Sequence, residues 1–354
     1  MNSAAKAIAQ SGHLAVNQAW LDQHIELPLD PQYPIIDPHH HLWDAPKPRY
    51  LLDEVLADFR TGHNVVSSVF VECRAMYRMT GDDELKSLGE TKFADGVAAM
   101  SESGVYGATR VCEAIVGYVD LRLGDRAKGV LERHLAISDG RLRGIRNIVA
   151  WHEHPEVSST SVPHPKDLLE NPGFRAGFAQ LGRLGLVYDC WLYQSQLTDL
   201  TDFAKAFPET TIVIDHLGGP LGVGPYAGQR QEVFAEWRTG LRRLAELPNT
   251  VVKIGGLGMR INGFGFHQRS VPPSSEDLAD AWRDYIHEAI ATFGARRCMF
   301  ESNFPVDKGS YSYGVLWNAF KRLTADASAD EKTDLFHGTA ARTYGLSLPP
   351  APRG

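Results

Sequence analysis

The chain has 354 residues, 43% hydrophobic and 22% charged, an ordinary globular composition long enough to bury a large core without covalent staples. Its formal net charge of −7 gives no basic footprint for nucleic acid or for an anionic membrane. No apolar run reaches membrane-spanning length and no basic stretch leads into an apolar core at the start. A cytoplasmic location is therefore expected, with neither nucleic acid nor membrane as partner and self-association left open.

Residues 1–32 read as an arm with one short helix around Ala15 to His24. From residue 33 onward, a β-rich apolar run is repeatedly followed by an amphipathic stretch. The runs fall at 33–37, 67–72, 111–119, 142–150, 184–192, 211–216, 250–256 and 297–302. Helical patterns occupy 125–136, 172–185, 232–247 and 274–294, the last opening on Ser274 with an acidic first turn and ending at Gly294. Strands buried on both faces and alternating with helices imply parallel pairing and right-handed crossovers. Eight such units predict an α/β chain folded as one (β/α)₈ TIM barrel over 33–345, with a tail at 346–354. The Gly/Pro-rich stretches 217–231 and 257–275, and the long connection 73–110, are expected as loops on the face where strand C-termini emerge. Four scattered cysteines, Cys73, Cys112, Cys190 and Cys298, read as reduced thiols.

The first run ends in "PIIDPHHHLWD" (34–44), where a dinucleotide-binding fold would need glycines. Side chains alternate along a strand, so His39 and His41 share one face and His40 takes the other. Two imidazoles at i and i+2 on a strand end can grip one divalent ion. Glu72 closes the second run. It is either an oxygen ligand or general base, or the partner of Arg74 or Arg146. At the sixth run, alternation sends Asp215 and His216 to opposite faces. Glu301, beside Ser302, is placed by the same rule away from the Asn303 positions and receives no role.

Asp37-Pro-His39-His-His41-Leu-Trp-Asp44 resembles the opening motif of the amidohydrolase superfamily, in the metal-dependent hydrolase branch related to 2-pyrone-4,6-dicarboxylate lactonase and sugar-acid lactonases. "GIR" (144–146), "IDHLGGP" (214–220) and "MFESNFPVD" (299–307) fit the same branch in order. The resemblance implies a barrel whose His39, His41 and His216 bind metal. With Glu72 they would hold one divalent ion, zinc before manganese. The pattern departs at Gln194, where relatives carry His, and at Asn303, which stands where they carry the Asp that binds metal and deprotonates water. An amide cannot be a general base. Asn303 is then expected to orient water or donate to an oxyanion, with Asp307, Glu72 or His216 as the base.

Substrate contacts are expected from Arg74, Arg146, Lys253 and Lys308, with Trp43, Trp191 and Tyr193 as flat walls, which suits a small anionic ring-like molecule. "GFGFH" (263–267) resembles an aromatic flap. The function these features predict is a metal-dependent hydrolase opening a lactone or related ester of a carboxylated small molecule. The alternatives are a non-oxidative decarboxylase of an aromatic or unsaturated acid, and a ligand-binding pseudoenzyme.

Overall fold

The computed structural model describes residues 13–159 and 164–348. Eight parallel strands follow the arm: β1 Pro34–His40, β2 Asn64–Val71, β3 Arg110–Gly117, β4 Leu142–Ile148, β5 Val187–Trp191, β6 Ile212–Ile214, β7 Thr250–Lys253 and β8 Cys298–Met299. They pair in sequence order as one sheet. A parallel bridge from His40 to Phe304 joins the ends, backed by His41 N–H donating to Phe304 O at 2.8 Å and Asn303 N–H to His39 O at 2.9 Å. The result is a TIM barrel, as the eight-run alternation predicts.

The arm carries α1 Gln18–Leu21. Each strand is then followed by one main helix: α2 Leu52–Phe59, α3 Leu88–Glu102, α4 Ala127–Ala136, α5 Pro172–Arg183, α6 Leu197–Ala206, α7 Arg230–Ala245, α8 Ser275–Phe293 and α9 Tyr313–Leu323. The connection 73–110, expected as loop, contains the 15 residues of α3. Local chemistry explains the boundaries. Asn171 caps α5 by accepting from Phe174 N–H at 2.9 Å, with Pro172 at the first helical position. In α8, Ser274 and Asp277 cap each other reciprocally, and Gly294 (φ 73°) ends the helix where a side chain would be strained.

The strands sort their side chains with period two. Ile35, Phe70, Ile115, Ile145 and Tyr188 enter the large core between sheet and helices. Ile36, Val69, Val71, Val116, Val213, Val251 and Met299 fill the barrel interior. Strict alternation from Ile36 would aim His40 at the axis. A register shift between Asp37 and His40 in the β1–β2 pairing reverses the parity, so that His39 and His41 face inward. His40 turns outward instead, bonding Ser68 Oγ at 2.9 Å beside Phe59 and Phe70.

Candidate active site

Above the apolar barrel layers lies a polar one built from strand ends. Lys253 on β7 is fully buried between Asp189 (2.5 Å) and Asp215 (3.1 Å). Two anions around one ammonium are what make its burial tolerable. This residue, expected at the substrate, is instead a prop beneath the site: its Nζ lies 3.0 Å from His39 Nδ1. Asp215 and His216 do not split between faces. The strand stops at Ile214, and His216 and Leu217 adopt left-handed backbone (φ 52° and 57°), which returns the imidazole to the interior after the carboxylate. Gly256 (φ 69°) makes room for it, because a Cβ there would sit 2.4 Å from His216 Nδ1.

Glu301 shares parity with Met299 and therefore points at the axis. Its Oε1 accepts from His216 Nδ1 at 2.7 Å, and Oε2 lies 3.1 Å from His39 Nδ1. One carboxylate thus anchors two rings. The signal was present in the sequence as the i, i+2 relation to both Met299 and Asn303.

His41 Nδ1 is held by Val71 O at 2.8 Å, which leaves Nε2 as its free nitrogen, and Glu301 does the same for His216. The Nε2 atoms of His39 and His41 lie 3.3 Å apart. Two nitrogens at about 2.0–2.1 Å from a tetrahedral zinc are separated by about 3.4 Å, so this spacing suits two ligands of one ion. Burial holds the pKa of His39 and of His41 well below the ordinary imidazole value, with Lys253 and Arg146 respectively the next contributions, so both rings are neutral donors.

Among the described residues, two triplets of candidate donors lie within 4.8 Å: His39, His216 and Glu301, and His39, Asp189 and Asp215. Lys253 already occupies the second. The first, extended by His41, is the candidate metal centre, and its imidazole set with a carboxylate behind it fits a divalent ion.

Glu72, expected as a ligand, is engaged elsewhere. Arg146 Nε donates to its Oε1 at 2.9 Å and Arg146 Nη2 to its backbone carbonyl. Arg146 Nη1 stands 3.4 Å from His39 Nε2. Both residues still line the pocket at the barrel mouth, together with His41, His216, Asn303, Trp43 and Trp191. Asn303 Nδ2 donates to Asp307 Oδ1 at 2.9 Å, so the amide oxygen is the atom left for the pocket. That oxygen can accept a hydrogen bond and cannot donate one. Asp307 sits behind it, accepting also from Gly258 N–H (2.9 Å) and Tyr311 OH (2.5 Å), and does not reach the pocket. Burial pushes its pKa up to about 6, against the opposing Tyr311 hydrogen bond.

Other expected contacts separate in the same way. Arg74 lines the mouth, its guanidinium 5.6 Å from the Tyr118 ring. Lys308 is turned away into an ion pair with Asp58 at 2.7 Å. Tyr193 is buried behind Trp191, its hydroxyl donating to Val157 O at 3.0 Å. Gln194 accepts from Leu221 N–H at 3.0 Å and stays outside the pocket. The "GFGFH" stretch packs Phe266 against Trp282, a core contact. Sequence reasoning missed Lys47, which lies 4.0 Å over the Trp43 ring, and His13, which stacks on the same ring at 5.6 Å. Nothing local in the sequence marks either. Among the described residues, the pocket therefore carries Lys47, Arg74 and Arg146 against a single carboxylate, Glu72.

A family model described as Amidohydrolase matches residues 36–346. The chain belongs to the amidohydrolase family. An uncharacterized protein y4mH of Sinorhizobium fredii is 34% identical over 332 residues, covering 88% of this chain and 98% of its own length. An L-fucono-1,5-lactonase of Burkholderia multivorans is 28% identical over 328 residues, covering 89% and 97%. A crystal structure of an amidohydrolase from Burkholderia multivorans with bound zinc superposes with a TM-score of 0.67 at 26% identity, covering 89% of this chain and all of that one. No helix among the described residues is long and apolar enough to cross a membrane.

Proposed function

We propose that this amidohydrolase is a hydrolase that opens a lactone, or a closely related ester, of a small carboxylated molecule. One observation carries the reading: three imidazoles converge beside a pocket whose charged groups, among the described residues, are three cations and one carboxylate. The L-fucono-1,5-lactonase relative and the zinc-bound structural neighbour support it. His39, His41 and His216 would hold one divalent ion, zinc before manganese. Such an ion, when bound, supplies Lewis acidity for the carbonyl and a more acidic water.

The rest is the work of this chain's own groups. Lys47 and Arg74 bind the substrate carboxylate at the mouth, while Trp43 and Trp191 flank the ring. Asn303 Oδ1 accepts a hydrogen bond from the attacking water and fixes its direction. Glu72 is the carboxylate that lines the pocket: it takes the water's proton as the water oxygen bonds to the carbonyl carbon, and returns it to the ring oxygen as the ring C–O bond breaks. Arg146, locked by Glu72, presents a fixed positive charge beside His39 where negative charge develops on the carbonyl oxygen.

The test is a panel of sugar-acid and dicarboxylate lactones assayed by acid release with zinc-loaded protein, with aromatic carboxylic acids run in parallel. Opening of at least one anionic lactone is expected. No opening across the panel, with loss of carbon dioxide from an aromatic acid, would overturn the reading in favour of decarboxylation.

A further inference from the structure

The arm does more than lie against the barrel. His13 lines the same pocket as His41 and Glu72. On the other side of the His13–Trp43 stack the arm roofs a second cavity of about 270 Å³, larger than the about 110 Å³ beside the imidazoles. His13, Trp43 and Lys47 belong to both walls, so the two spaces share a boundary. Leu14, Val16, Pro48, Tyr50 and Pro305 supply much of the second wall. Beyond His13 and Lys47 at the shared boundary, its charged and amide side chains are paired within the chain. Arg49 pairs with Glu54 at 3.0 Å, Lys308 with Asp58 at 2.7 Å, and Gln18 with Asp22 at 2.7 Å. What remains to be covered is apolar surface.

The arm is seated by particular contacts. Leu14 lies so close to Gly309 that a Cβ at 309 would fall 2.5 Å from the Leu14 Cβ. Trp20 Nε1 donates to Arg269 O at 3.1 Å, and Glu26 accepts from Ser275 N–H at 2.7 Å. The family match starts at residue 36, so this roof lies outside the region the family model describes.

We propose that the arm turns the active site into a two-lobed cavity whose outer lobe takes an apolar substituent carried by the anionic substrate. The carboxylate end sits with Lys47 and Arg74, and the alkyl or aryl extension passes the His13–Trp43 stack into the arm-roofed lobe. This rests on the hydrolase reading for the chemistry of the inner end, but the binding it describes needs no turnover.

The experiment is calorimetric titration of the full-length, zinc-loaded protein with acetate, butanoate, hexanoate and octanoate. Affinity should rise roughly two- to fourfold per added methylene until the lobe is filled, since each buried methylene is worth about fourfold at most. Gly309→Val, which leaves the arm no room, and Trp20→Ala, which removes an anchor, should each flatten that dependence while acetate binds as in the parent chain. Either variant suffices if the other does not fold. Equal affinity for all four acids, or an undiminished slope in a folded variant, would overturn the proposal. If the slope is present and no lactone is opened, the hydrolase reading fails and the outer lobe stands. If lactones are opened with no slope, the lobe fails alone.

Discussion

At the residue scale the triplet His39-His40-His41 divides its labour by direction. His39→Ala and His41→Ala should each abolish turnover in a folded protein, because each removes a nitrogen whose opposite ring atom the barrel has fixed. His40→Ala removes a packed outward ring bonded to Ser68 and should cost about 2 kcal/mol of stability with turnover largely kept. Thermal melts with initial rates separate the two; loss of turnover in the folded His40 variant would contradict the assignment. Glu72→Gln should lower kcat by about 10²-fold or more while bound metal stays at the parent level. Concurrent loss of metal would instead make Glu72 a ligand. Asp307 gives the pH behaviour. Its folded pKa, about 6, is raised above the ordinary aspartate value of 3.8. The neutral form is therefore the one the fold favours, and the stability it contributes is full below about pH 4 and lost as pH rises through about 6. Function runs the other way, since only ionised Asp307 obliges Asn303 Nδ2 to face it. Turnover should fall as pH drops through about 6 without a drop in melting temperature from this group, and Asp307→Asn should remove that limb of the rate profile.

At the scale of elements, the positions that deceive alternation are where strands stop being regular. The eight apolar runs were legible because a parallel barrel buries both faces of every strand. The inward aim of His39 and His41 was legible from their place at the strand end, but the reason was not: alternation from Ile36 gives it only with the one extra residue between Asp37 and His40 in the β1–β2 pairing. The expected split of Asp215 and His216 between faces failed for a related reason: left-handed backbone after Ile214 turns His216 to the same side as Asp215. Glu301 was legible and should have been assigned, since it obeys simple alternation from Met299. Lys47 and His13 reach the pocket from segments far from any motif, and only the closed fold brings them to Trp43. The β7 loop supplies a sharp prediction. Gly256→Ala adds strain at φ 69° and drives a methyl into the His216 ring, so kcat should fall at least about tenfold with a visible loss of melting temperature. A variant as active as the parent would show that His216 is not held where the chemistry needs it.

At the scale of the whole molecule, the barrel's polar layer is an arrangement of charges in which Lys253, Asp189, Asp215 and Glu301 lie beneath the imidazoles and do not line the pocket. Asn303 offers only a neutral oxygen to the pocket. Asn303→Asp should therefore tighten metal binding by adding a charged oxygen, while lowering the rate if the neutral acceptor is what orients the water. Metal competition with a chromophoric chelator compares the two proteins, and unchanged affinity would remove Asn303 from the neighbourhood of the ion. The central claim is that His39, His41 and His216 form a metal centre on which lactone opening depends. Its most direct test is metal content measured alongside lactone turnover before and after chelation. The expected result is one divalent ion per chain, loss of turnover in step with its removal, and recovery on adding zinc. Full turnover by protein that contains no metal would contradict the account and leave the three histidines as a hydrogen-bonding and acid–base cluster.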